Sequence, residues 1–184
     1  FTTRIDTIYG ANAVVVAAEH PIVEAKLEVM SANVVAKIAE IRAANSKPTD
    51  HETEIEKDGI DTGLKAVNPF SSEELPVWVA NYVMMDYGTG ALMSVSAHDE
   101  RDFEFAKKFG LPIKQVIEPQ GLSDDAGSEP PAVAGGSTQA FTDYGILVNS
   151  AEWSGKASGE AKKEMAEFAR ANGFGEPATT YRLR

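Results

Sequence analysis

The chain has 184 residues, 43% hydrophobic and 24% charged, with no cysteine and a net charge of −11 from 17 basic and 28 acidic side chains. That length fits one sizeable core better than two, so residues 1–184 read as a single globular domain, and no apolar run approaches the ~20 residues that span a bilayer. The missing cysteine excludes disulfides, thiol nucleophiles and thiolate metal sites, and the acidic balance argues against a module that grips a phosphate backbone unaided.

The N-terminal "FTTRIDTIYG" has no basic region followed by an apolar core, so it does not read as a signal peptide, and a cytoplasmic location is compatible with the composition. "NAVVVAAEH" is a β-branched run expected to be a buried strand, and Pro21 stands where a helix can begin. "SANVVAKIAEIRAA" predicts a helix capped by Ser31, with Val34, Val35, Ile38 and Ile41 on one face. A polar, acidic connection covers residues 45–58, followed by strands in "GIDTGLKAVNPF" and "LPVWVANYVMM".

Next, "YGTGALMSVSAHDERDFEFA" combines a glycine-bracketed turn, a short apolar strand and a charged run that opens a helix over Asp99–Phe109, ended by Gly110 and Pro112. "PIKQVIEP" is a further strand, and residues 119–138, dense in Gly, Pro, Ser and acid, read as an exposed, mobile surface loop. A strand "YGILVNS", a helix "SGEAKKEMAEFARANGFG" and a last strand "ATTYRLR" complete the chain. Strands outnumber helices without a βαβ repeat, which favours an α+β domain with a mixed, partly closed sheet over a doubly wound fold. The start at Phe1 and the strand-like "TTYRLR" end suggest a piece excised from a longer protein.

Several chemistries lack their residues. "YGTGALM" is not a dinucleotide fingerprint, because Met93 stands where a third glycine belongs, and neither a phosphate loop nor a Gly-x-Ser-x-Gly elbow occurs. His20, His51 and His98 are far apart. A metal site from His98, Asp99 and Asp102 is the weaker reading, since two carboxylates three apart at a helix start are far more often capping groups. Two features carry chemistry, each with a plain structural alternative. Asp102 caps the helix with Asp99, or it points into the space left by Gly88 and Gly90 and binds a cation such as an α-ammonium group. Thr2, Thr3 and Thr7 line the faces of a strand, or they offer hydroxyls and methyl bulk for binding an ester and gauging a side chain. Composition and spacing leave these alternatives open.

"FTTRIDTIYG", "VAAEHP", the stretch from "DTGLKAVNPF" to "GLPIKQVI" and the terminal "YRLR" resemble, nearly end to end, the editing domain inserted in bacterial leucyl-tRNA synthetases. The threonine peptide, the "GTG" turn and the "HDERD" run occur in that family's order and spacing. The resemblance implies a barrel-like, partly closed sheet flanked by helices and post-transfer editing, the hydrolysis of the ester joining norvaline, isoleucine or methionine to tRNA(Leu). Asp102 then holds the substrate α-ammonium and Thr7 keeps leucine from seating. Thr2 and Thr3 form the wall near the scissile ester, and Met93 lies beside the terminal adenosine. Gly88, Thr89 and Gly90 of the turn join the substrate-binding set, with Asp99 and His98 as further members of the wall.

The implied partners are the aminoacylated 3′ end of tRNA(Leu) and the rest of a parent synthetase, with no cofactor, metal or membrane and a monomeric isolated domain. Two rival readings are a non-catalytic module that docks the tRNA acceptor end and an editing domain of the valyl or isoleucyl type. Ile5 and Ser96 stand where the family usually has proline, which removes two backbone constraints without removing a hydroxyl or a carboxylate.

Overall fold

The computed structural model describes residues 1–46, 56–120 and 139–178. Its centre is a four-stranded mixed sheet made of β1 (Ala13–Val16), β2 (Gly59–Val67), β3 (Glu74–Ala80) and β4 (Ala91–Ser94), in the order β2-β3-β1-β4. β1 runs parallel to β3, with Val15 opposite Trp78, and antiparallel to β4, with Val14 opposite Met93. The "AVVV" run is central because it is apolar on both faces. Alternate residues therefore feed two different cores.

On one face Val16, Val77 and Val79 pack with Ile38 and Ile41 of α2 (Ala32–Asn45) and with Val23 of α1 (Pro21–Glu24). Ser31 caps α2 as its sequence predicts, accepting from the Val34 amide at 3.4 Å, a long bond. On the other face Val15, Trp78 and Ala80 pack with Phe105 of α3 (Glu100–Phe109). The Phe105 ring is fully buried and meets Trp78 edge-on at 5.4 Å. Truncating such a ring costs ~3 to 5 kcal/mol, so the seat of α3 on the sheet is firmly held.

A separate core lies under the N-terminal peptide. There Ile8 and Tyr9 pack with Val116, Ile117 and Leu147 and with Ala161 and Met165 of α4 (Ser158–Ala171). The strands expected in "PIKQVIEP" and "YGILVNS" shrink to a two-residue ladder, β5 (Ile117–Glu118) with β6 (Ile146–Leu147). Their neighbours use loop bonds instead, as where the Val148 amide donates to Val116 O at 2.9 Å and the Leu147 amide to Lys156 O at 2.9 Å.

The α+β class and the mixed sheet match the sequence reading. Among the described residues the strands form two separate sheets and no closed barrel, so the expected partial closure is not seen there. The expected strand over residues 75–85 ends at Ala80, because Asn81 turns the chain by bonding the Asp58 amide and Glu56 O at 2.9 Å each. Most of the expected 119–138 loop and nearly all of the last strand lie outside the described residues.

Candidate active site

The threonine peptide is not a strand. Ile5–Gly10 is a 3-10 helix, entered through a bend at Thr3. Short-range side-chain bonds explain the departure. Thr2 Oγ1 accepts from the Arg4 amide at 3.0 Å, and the Thr7 amide and hydroxyl both donate to Arg4 O, at 3.1 and 2.8 Å. Hydroxyls that satisfy nearby backbone groups offer the chain an alternative to a ladder. Thr7 is thereby buried with its rotamer fixed, whereas Thr2 and Thr3 stay exposed.

Between them an ion pair locks the bend. Asp6 is fully buried, and Arg4 Nε donates to its two oxygens at 3.1 Å each while Nη2 reaches Oδ2 at 2.9 Å. Arg4 Nη1 also donates to Thr142 O at 3.0 Å, and the guanidinium lies 4.5 Å from the centre of the Tyr144 ring. The planar fork of arginine suits this simultaneous bidentate, carbonyl and aromatic contact.

Facing the peptide is the first turn of α3. Asp99 is its cap, with Oδ1 accepting from the Arg101 amide at 2.9 Å and the Asp102 amide at 3.3 Å. Asp102 takes no part in capping. Its Oδ2 accepts from the Val95 amide at 2.9 Å and its Oδ1 from the Tyr82 hydroxyl at 3.3 Å. Burial raises the Asp102 carboxyl from 3.8 to about 6, against the opposing effect of the Val95 bond. The Tyr82 hydroxyl is also pushed well above its usual value, by burial first and then by the Asp102 charge.

His98 is engaged at both nitrogens. Nε2 accepts from the Val116 and Ile117 amides at 3.0 and 3.2 Å, so the proton sits on Nδ1 and is donated to Phe141 O at 2.8 Å. Burial holds its pKa below 6.5. This imidazole ties the approach to α3 to β5 and to residue 141, and it has no lone pair left for a metal or a proton. His98, Asp99 and Asp102 therefore serve three different sets of partners.

Thr2, Thr3, Thr7, Met93, His98, Asp99 and Asp102 border one cleft between the peptide and α3, of about 570 Å³ counting the space open to solvent. Gly88, Thr89 and Gly90 do not border it. The room expected above the glycines is filled: a Cβ on Gly88 would stand 2.6 Å from the Phe1 ring, and one on Gly90 would stand 2.5 Å from Met85 Sδ. Both glycines have positive φ, 63° and 70°, and the turn serves to seat Phe1, whose ring meets Tyr87 edge-on at 5.8 Å.

The model of the family described as "Leucyl-tRNA synthetase, editing domain" matches residues 1–170. The chain belongs to this family. The match sets aside the valyl and isoleucyl readings. A leucine–tRNA ligase of Solibacter usitatus is 47% identical over 184 residues, covering 100% of this chain and 21% of that protein. One from Marinobacter nauticus is 49% identical over 185 residues, covering 100% of this chain and 20% of that protein. The chain thus spans about a fifth of the length of these relatives. A solved LeuRS of Agrobacterium radiobacter K84, AgnB2, in a ternary complex with tRNA and LeuAMS, matches with a TM-score of 0.65 and 30% identity over 100% of this chain and 18% of its own.

Sequence reasoning missed several residues that this editing-domain chain brings to the cleft. Tyr82 was absorbed into an apolar strand pattern, yet it reaches Asp102. Tyr87, Leu92 and Arg101 also border the cleft. Arg4 and Asp6 carried a visible signal, opposite charges two apart among threonines, which a strand would place side by side on one face. Among the described residues no helix is long and apolar enough to cross a membrane.

Proposed function

We propose that the chain hydrolyses the ester of misacylated tRNA(Leu), clearing norvaline, isoleucine or methionine after transfer. The observation that carries this reading is the pairing of one desolvated carboxylate, Asp102, with a hydroxyl-rich peptide across a single cleft. Asp102 receives the substrate α-ammonium, a charge-assisted contact strengthened by burial. Thr7 bounds the side-chain pocket against leucine. Thr2 and Thr3 stand near the ester, and Met93 lies beside the terminal adenosine.

Water adds to the ester carbonyl, the bond to the ribose oxygen breaks, and a proton passes to that oxygen. With His98 committed to three backbone groups, the chain contributes position and electrostatics to this step rather than a general base. Threonine hydroxyls and backbone amides stabilise the developing negative charge. Editing is needed because a pocket discriminates one methylene by only ~1 to 3 kcal/mol, a limit worked out on the isoleucyl and valyl enzymes.

The net charge of −11 assigns most of the grip on tRNA to the rest of a parent synthetase. The test is to incubate the chain in excess with norvalyl-tRNA(Leu) and leucyl-tRNA(Leu) and follow deacylation. Selective loss of the norvalyl ester supports the reading. A chain that binds the acceptor end and cleaves neither ester is a docking module instead.

A further inference from the structure

Asp102 is held from two sides: the Val95 amide fixes Oδ2 at 2.9 Å, and Oδ1 would be free to turn were it not for the Tyr82 hydroxyl at 3.3 Å. Tyr82 is well placed to do this. It follows β3 at the bend where Asn81 leaves the sheet, and its ring rests edge-on against the fully buried Phe105 at 5.6 Å. Phe105 belongs to the same helix as Asp102, so ring and carboxylate share one support. The hydroxyl donates and does not titrate in the working range, because burial and the carboxylate both disfavour the phenolate.

We propose that Tyr82 is the positioning residue of this site: its hydroxyl orients the Asp102 carboxylate toward the cleft for an ammonium ligand. The inference rests on the editing reading for the identity of that ligand, but not for the hydrogen bond. The charged and titratable groups around Asp102 are Asp99 and Arg101 on α3, Tyr82 after β3, and Arg4, Tyr87 and His98 around the cleft. Asp99 opposes ionisation, whereas Arg101 and Tyr82 favour it. Arg101 is more than half exposed and pairs with Asp99 at 3.5 Å, so solvent screens it. Burial lowers the His98 pKa and so favours its neutral form. Among the side chains, Tyr82 therefore gives the direct contact to the Asp102 carboxylate.

Tyr82→Phe removes the hydroxyl and keeps the ring on Phe105. The side-chain carboxyl carbon of Asp102 is followed by NMR from pH 4 to 8 in the 184-residue chain, assigned by its disappearance in Asp102→Asn. The expected result is an Asp102 midpoint higher in Tyr82→Phe by on the order of one pH unit, with the resonances of Thr7 and His98 unmoved. An unchanged midpoint overturns the proposal, and so does a change spread through the fold.

Deacylation of norvalyl-tRNA(Leu) supplies the second readout. The acid limb of kcat/KM should move to higher pH in the same variant, with about fivefold loss at pH 6 and almost none at pH 8. Asp102→Asn separates the two ideas. If it still cleaves the ester while Tyr82→Phe shifts the Asp102 midpoint, the editing role of Asp102 fails and the positioning contact stands. If Asp102→Asn is inactive and Tyr82→Phe behaves as wild type in both readouts, the positioning proposal fails alone.

Discussion

Replacing Asp102 with asparagine should stabilise the fold at alkaline pH while ending its activity. The carboxyl is raised from 3.8 to about 6 by burial, so the folded state binds its proton more tightly than the unfolded chain does. Stability from this group is fully present below 3.8 and is lost as pH rises through about 6. At ~1.4 kcal/mol per pH unit the full loss is ~3 kcal/mol. Asparagine is neutral at every pH. Its carbonyl can accept from the Val95 amide, and its amide can donate to the Tyr82 oxygen, so neither partner is stranded.

Allowing for weaker neutral bonds, the gain at pH 8 is ~1 to 3 kcal/mol, or roughly 3 to 10 °C in Tm for a chain of this size. Melting followed by circular dichroism at pH 4 and pH 8 tests this. The variant should exceed wild type at pH 8, and the gap should close at pH 4. Asp99 keeps the helix cap throughout, so helix content is unchanged. A variant that melts below wild type at pH 8, or a gap equal at both pH values, refutes the idea that the ionised carboxylate is held at a cost in stability.

Three further outcomes are expected. Thr7→Ala, which deletes a buried methyl and hydroxyl at the cleft, should admit the correct amino acid, so that leucyl-tRNA(Leu) becomes a substrate beside isoleucyl-tRNA(Leu); continued sparing of the leucyl ester would move the sieve to Thr2, Thr3 or Met93. His98→Ala strands Phe141 O and the Val116 and Ile117 amides, at ~1 to 3 kcal/mol for each group left buried and unpaired, and urea titration should show the loss. Wild type should also lose His98-dependent stability as pH falls below 6.5 through the depressed folded pKa, whereas the Ala variant should lack that component. Chelating transition metals at constant magnesium should leave deacylation unchanged, and activity that disappears and returns with zinc would contradict the donor assignments made for His98, Asp99 and Asp102.

Much of this was legible in sequence, for identifiable reasons. β1 and α2 were readable because the β-branched run and the Ser31 cap act over a few residues. The α3 boundaries were readable from Asp99 and Gly110, which close its two ends. Which of two carboxylates caps α3 was not readable. Spacing permits both Asp99 and Asp102, and the choice is made by the Val95 amide and the Tyr82 hydroxyl, seven and 20 residues away in the chain. The bend of the threonine peptide was hidden for a related reason. Threonine favours strands on average, and only the bonds to the Arg4 amide and carbonyl, with Asp6 buried beneath, override that preference here.

The same bonds explain how the cleft keeps its shape without the two prolines usual in the family. A proline stiffens by restricting the unfolded chain, and its loss is repaired only by contacts that exist in the folded state. Ile5 packs against the core of Ile8 and Tyr9, and the residues on either side of it, Arg4 and Asp6, form an ion pair. With Asp6 fully buried, the Arg4 guanidinium is the partner that keeps its carboxylate paired, and the pair ties the backbone on both sides of Ile5. Ser96 is buried and its oxygen accepts from Asn12 Nδ2 at 2.6 Å, while the same amide donates to Pro112 O at 2.6 Å. One asparagine thus joins the entry to β1, the segment after β4 and the segment after α3. The two walls of the cleft are fixed by side-chain bonds in place of pyrrolidine rings, and these act on the same backbone that presents Thr7 on one side and Asp102 on the other.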